Sequence, residues 1–92
     1  MTSIKKVGIL GSGIMGSGLA EVVARAGLDV VVRSRTQAGA DAVLAKVGSG
    51  LARQVAKERM TEEEREAILG RVSVTDHLGQ LADCDLVIES VV

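Results

Sequence analysis

Phenylalanine, tyrosine and tryptophan are absent from this 92-residue chain. Its core must therefore be built from valine, leucine, isoleucine, alanine and methionine. No ring is available to stack on a base or a sugar, which counts against single-stranded nucleic-acid binding. One-sided charge is missing too, because 11 basic and 12 acidic residues leave a net charge of −1. That balance gives no electrostatic footprint for DNA, RNA or an anionic membrane. The lone cysteine, Cys84, cannot close an internal disulfide, and a reducing compartment fits. No run approaches the roughly 20 apolar residues of a membrane span. Lys5 and Lys6 precede only a brief apolar stretch, unlike the long apolar core of a secretory signal. The expectation is a cytoplasmic protein with no nucleic-acid and no membrane partner. No metal-ligand spacing is present.

What is present is a globular mix, 47% apolar and 25% charged, short enough to be a single domain over residues 1–92. A domain of this size buries only about 60–65% of its unfolded surface, so marginal stability is expected.

Ile4 to Leu10 is an apolar run ending at Gly11, and reads as a buried parallel strand. A glycine-rich turn follows. Met15, Leu19, Val22, Val23 and Ala26 then recur at helical spacing, and Gly27 stands where a left-handed residue closes a helix. "LDVVVR" is a second strand. A long helical pattern runs from about Gln37 to Arg59, with Val43, Val47, Leu51 and Val55 on one stripe. Gly48 and Gly50 weaken its middle by roughly 1 kcal/mol each, and a bend is expected there. Thr61 and Glu64 form a capping box that opens a short helix ended by Gly70. Val72–Thr75 is a third strand. Asp76 is expected to cap a short turn through Leu78 and Leu81, and Asp85–Val92 is a fourth strand.

The order β-α-β-α-α-β-α-β predicts a doubly wound parallel sheet of Rossmann type, covered on both faces. Four strands in the order 3-2-1-4 make it incomplete against the usual six. The fourth strand would then be an apolar edge that invites pairing with another copy.

"GSGIMG" gives G-x-G-x-x-G at Gly11, Gly13 and Gly16, after a strand and opening a helix. Gly11 makes the turn, Gly13 lets a pyrophosphate approach the backbone, and Gly16 lets the helix lie close to the strand. The free amides at the helix start then face the phosphates. The plainer reading is a tight strand–helix turn without a ligand. An acid about 20 residues on normally accepts from the adenosine ribose. Counted from Gly13, that position is Ser34. Serine leaves room for a 2′-phosphate, and the guanidinium of Arg35 is shaped to clamp one. Arg33 is a second candidate that can point to the other side of the strand end. This turn favours NADP(H) over NAD(H); a merely solvated strand end is the alternative.

With these segments in view, "KVGILGSGIMGSGLAEVVARAGLDVVV", the long second helix and "MTEEEREAILGRVSVTDHLGQLADCDLVIESVV" resemble the N-terminal half of the 3-hydroxyacyl-CoA dehydrogenase family, in particular its 3-hydroxybutyryl-CoA dehydrogenases. The likeness covers nearly the whole chain. It implies NAD(P)-dependent oxidation of the 3-hydroxyl of an acyl-CoA, in fatty-acid metabolism. It also implies a following helical domain, absent here, through which the protein forms a homodimer. Gly11, Ser12, Gly13, Ile14, Met15 and Gly16 match the family's dinucleotide loop. Ser34 stands where its ribose-binding acid belongs, a departure from the family's NAD default. Glu89 matches a glutamate near the bound cofactor, and its place near the end of the fourth strand suits that independently. Lys57 matches a lysine that meets the CoA. Lys46, Arg53 and Lys57 share one helix face that could attract CoA phosphates, or could simply be solvated.

The family's catalytic histidine and its orienting glutamate belong beyond Val92, so no catalytic residue is expected in this chain and the piece alone should not turn over. His77 does not match the catalytic motif and reads as surface or structural. Cys84 reads as a small buried apolar residue. "RSRT" is also similar to the cofactor turn of NADP-dependent 3-hydroxyisobutyrate and 6-phosphogluconate dehydrogenases, although the long second helix and "TEEER" argue against them. A nicotinamide-binding sensor without chemistry is the third reading.

Overall fold

The computed structural model describes residues 3–11 and 14–89, with Ile14 and Met15 placed by backbone alone. Four parallel strands form one sheet in the order β3-β2-β1-β4. They are β1 (Lys6–Leu10), β2 (Asp29–Arg33), β3 (Val72–Thr75) and β4 (Leu86–Glu89). Helix α1 (Ile14–Arg25) joins β1 to β2, while α2 (Gln37–Ala56) and α3 (Glu62–Leu69) join β2 to β3. A 3-10 turn, Leu78–Leu81, leads into β4. The expected topology is therefore present, with ends trimmed: β1 starts at Lys6 and α2 stops at Ala56. Residues 90–92 of the expected fourth strand lie outside the described residues.

The strands are short and nearly all apolar because a parallel sheet places both faces against other elements. On one face Val7, Ile9, Val30 and Val32 are fully buried against Ala20 and Ala24 of α1 and Val43, Val47 and Leu51 of α2. Each such valine or leucine stabilises the fold by about 1.5–3 kcal/mol. Of the expected stripe of α1, Leu19 and Val23 pack against the core, whereas Val22 and Ala26 do not. Ala20 and Ala24 face the sheet, while Val22 is 66% exposed. Two small side chains one turn apart let α1 lie close to the strands, and the larger Val22 is turned outward.

The expected bend at Gly48–Gly50 does not occur, and α2 is unbroken over its 20 residues. The reason is lateral: a Cβ at Gly50 would stand 2.7 Å from Glu21 Oε1. Gly50 thus makes room for an α1 side chain. The capping box forms as expected, with Thr61 Oγ1 accepting from Glu64 N and Glu64 Oε1 accepting from Thr61 N, both at 3.1 Å. Gly27 takes the left-handed conformation at φ 94°.

The opposite face is more thinly covered than the alternation predicts. Gly8 has no side chain, and a Cβ there would come within 3.0 Å of Leu81 Cδ2 and Cys84 Sγ. The connection to β4 therefore lies directly on β1. Beyond it, Leu86 and Val87 remain 43% and 44% exposed on the edge strand. Asp76 does not cap the 3-10 turn, whose cap position is His77 with no side-chain hydrogen bond. Thr75 Oγ1 accepts from His77 N at 3.1 Å, ahead of the turn and not as its cap.

Candidate functional site

The carboxyl ends of β1, β2 and β4 gather the sequence-predicted residues, as an open α/β sheet requires of its ligand side. At the end of β1, Gly11 has φ 117°, a conformation that only glycine adopts easily. Its amide donates to Arg33 O at 2.9 Å, so the turn is tied to the end of β2. Gly16 lies in the first turn of α1, where a Cβ would come 2.9 Å from Gly11 O. Backbone against backbone cannot give way, so this close approach requires glycine. Ser12 and Gly13 lie outside the described residues, as do the side chains of Ile14 and Met15.

At the end of β2 the chain separates three residues that are adjacent in sequence. Arg33 is half-buried and its Nε donates to Asp76 O at 3.3 Å, which holds it toward the loop after β3. Ser34 is only 4% exposed, and its amide donates to Thr75 O at 3.0 Å. Arg35 is exposed. Thr36 caps α2, its Oγ1 accepting from Gly39 N at 3.0 Å. Glu89 is exposed at the end of β4, in register with Leu10.

Lys46, Arg53 and Lys57 do not line one groove. Lys46 and Arg53 line a groove of about 480 Å³ between α1 and α2, together with Ser17, Gly18 and Glu21. Lys57 is the residue that ends α2, is exposed, and does not line that groove. Glu21 pairs loosely with Arg25 at 3.7 Å.

Of the other singled-out groups, His77 stands just past the carboxyl end of β3, and Cys84 lies ahead of β4 at the opposite end. His77 has its side chain 78% exposed, with Nε2 3.2 Å from Asp76 Oδ1. Cys84 is half-buried beside Gly8, and burial raises its thiol pKa. At the amino end of the sheet the structure adds a feature that motif reading missed. Lys6 Nζ bonds Asp83 at 3.0 Å, and the carboxylate of Asp85 accepts from the amides of Lys5 and Lys6 at 2.9 and 3.0 Å. Partners 77 to 80 positions apart cannot be paired from spacing alone. No helix among the described residues is long and apolar enough to cross a membrane.

The strand order, the positive-φ turn after β1 and the glycine-only approach of α1 together define an NAD(P)-binding domain of Rossmann type. Comparison with known proteins narrows the class. The family model for the 3-hydroxyacyl-CoA dehydrogenase NAD binding domain matches residues 6–92. A 3-hydroxybutyryl-CoA dehydrogenase of Bradyrhizobium diazoefficiens is 46% identical over 89 residues, covering 97% of this chain and 30% of that protein. Among solved structures, Mycobacterium tuberculosis FadB2 superposes with a TM-score of 0.94 at 43% identity, covering 99% of this chain and 32% of that one. The (S)-3-hydroxybutyryl-CoA dehydrogenase of Ralstonia eutropha also gives 0.94, at 37% identity, with 98% and 32% covered. The chain belongs to the 3-hydroxyacyl-CoA dehydrogenase family, as its NAD-binding domain. It spans about a third of the length of the relatives it matches.

Proposed function

We propose that residues 1–92 are the cofactor-binding part of an enzyme that oxidises the 3-hydroxyl of a 3-hydroxyacyl-CoA, such as 3-hydroxybutyryl-CoA. The observation that carries this is the turn between β1 and α1, where Gly11 has φ 117° and Gly16 has no room for a Cβ against Gly11 O, at the start of a 12-residue helix. A diphosphate fits there against backbone amides and the positive helix end. Gly11, Ser12, Gly13, Ile14, Met15 and Gly16 are the residues assigned to hold it. A bound nicotinamide would supply the acceptor for the C3 hydrogen with its electron pair, and the hydroxyl proton would go to a base assigned to the rest of the enzyme. The chain's own contribution is to orient the cofactor and to hold it at the carboxyl edge of the sheet.

Ser34 and Arg35 serve the adenosine ribose side and favour NADP(H), because no carboxylate stands there to accept from a free 2′-hydroxyl or to repel a phosphate. Glu89 faces the cofactor from β4. Lys57 and Arg53 are assigned to the phosphates of CoA. The whole protein is read as a cytoplasmic homodimer, joined through a following domain that also supplies the catalytic histidine and glutamate.

Titration of the chain with NADPH and with NADH tests this reading. Both should bind, NADPH more tightly, and Arg35→Ala should weaken NADPH alone by about ten- to a hundredfold. Absence of binding to both refutes it. The chain by itself should not oxidise 3-hydroxybutyryl-CoA, and turnover at a normal rate would place the base within these residues.

A further inference from the structure

We infer that Gly39 sets the cofactor preference of this domain, by admitting Ser34 as one wall of a seat for a ribose 2′-phosphate. The inference rests on the NAD(P)-binding reading above and adds the seat and the residue that shapes it. Gly39 belongs to no motif in the sequence. In the structure, a methyl group on Gly39 would collide with Ser34 Oγ and approach Thr36 Oγ1 to 3.2 Å. The Ser34 hydroxyl is therefore held over the first turn of α2. Ser34 is 4% exposed, and its hydroxyl makes no hydrogen bond to the described residues. That oxygen is not among the buried side-chain atoms without a partner, so it reaches the surface beside the turn.

The turn beneath it offers what a phosphate needs. Gly39 N is taken by Thr36 Oγ1 and Ala40 N by Thr36 O, each at 3.0 Å. The amides of Gln37 and Ala38 have no acceptor within the helix. The first turn of α2 carries no acidic residue, so nothing offsets its positive end. Gln37 Nε2 is turned away, donating to Asp41 Oδ1 at 2.9 Å. Arg35 is exposed beside the turn, whereas Arg33 is held on the β3 side by Asp76 O. A dianionic phosphate supplies acceptors for the Ser34 hydroxyl and two amides at once. A ribose hydroxyl, being one atom with one proton, satisfies far less of the site. The seat adjoins the glycine turn, since Gly11 N is bonded to Arg33 O one residue before Ser34. Gly39 is a positioning residue: it acts by leaving space, and an alanine would push the hydroxyl off the turn.

The test is calorimetry on the 92-residue chain with adenosine 2′,5′-bisphosphate, adenosine 3′,5′-bisphosphate and 5′-AMP. The 2′,5′ compound should bind at least about tenfold more tightly than either of the others, as expected for added charge-assisted bonds. The 3′,5′ compound reports whether the phosphate of CoA could be the true occupant. Ser34→Ala and Gly39→Ala should each reduce that preference by about tenfold or more, and the double variant should lose no more than either alone, because Gly39 works through Ser34. Should Gly39→Ala fail to fold, the Ser34→Ala arm still decides whether the seat exists. Equal binding of the 2′,5′ and 3′,5′ compounds, or additive losses in the double variant, overturns the inference while leaving the dinucleotide reading intact. Failure of all three nucleotides and of NADH to bind overturns both.

Discussion

Gly16 faces the carbonyl oxygen of Gly11 so closely that a Cβ would sit 2.9 Å from it. Helix α1 is thus held against the strand that precedes it by the absence of one carbon. Gly16→Ala must separate α1 from β1 or strain the turn, because the opposing atom is backbone. The expected cost is about 1–3 kcal/mol of stability, as for other overpacked sites. Dinucleotide affinity should fall by about tenfold or more, because the amides at the helix start move with α1. Thermal denaturation and NADH titration of the variant check the two effects separately.

Gly48 and Gly50 stand two residues apart in the same unbroken helix, yet their replacement should differ. The site at Gly48 is open, its nearest neighbour being Arg65 Nη2 at 3.9 Å from a Cβ. Gly48→Ala should therefore stabilise the chain by about 0.5–1 kcal/mol through helix propensity alone. At Gly50 the same gain is reduced by the need to move Glu21, whose Oε1 would lie 2.7 Å from the new methyl. Chemical denaturation should rank Gly48→Ala above Gly50→Ala, and a reversed order would mean that the Glu21 contact is unimportant.

The strand order and the capping box were legible because each rests on local pattern: apolar runs, a Thr and a Glu three residues apart, and glycines at fixed offsets. In α1, Leu19 and Val23 were placed correctly on the core side, but Val22 was misplaced because hydropathy ranks it above Ala20 and Ala24, whereas close helix–sheet packing favours the smaller residues. Gly50 looked like a helix breaker because its reason lies on another helix, at Glu21. Gly39 carried no signal for the same reason. Its partner, Ser34, is close in sequence but on the far side of a strand-to-helix turn. The basic residues along α2 divide at the helix end. Helical spacing places Lys46 and Arg53 on one groove, but α2 ends at Ala56, before Lys57.

The capping box of α3 offers a local test. Thr61 and Glu64 satisfy each other's backbone amides at 3.1 Å, and Glu62, Glu63 and Glu64 crowd the first turn, where negative charge suits the helix end. Thr61→Ala should cost about 1 kcal/mol. Hydrogen exchange should show the loss most clearly in the amides of α3, with β1 and β2 much less affected. Equal loss of protection throughout would mean that α3 unfolds only with the whole domain.

Acid sensitivity should arise at the opposite end of the sheet from the cofactor. The amides of Lys5 and then Lys6 hold the Asp85 carboxyl below its ordinary value of 3.8. Asp83 is lowered in the same direction, chiefly by its hydrogen bond to Lys6. A carboxyl whose pKa is lower in the folded chain contributes stability above its unfolded value and loses it as pH falls through the folded value. The Asp85 clip should therefore act fully at neutral pH and fade below about pH 4. Asp85→Asn keeps the shape and removes the charge. The gap in melting temperature between wild type and Asp85→Asn should stay constant from about pH 7 to about pH 5, then narrow toward zero in stronger acid. Lys6 works in the other direction. Its pKa is raised above 10.5, first by the Asp83 hydrogen bond, so its contribution should be lost only as pH rises through that higher value. A gap that stays constant into strong acid would show that the carboxylate charge of Asp85 does nothing to join β1 to β4.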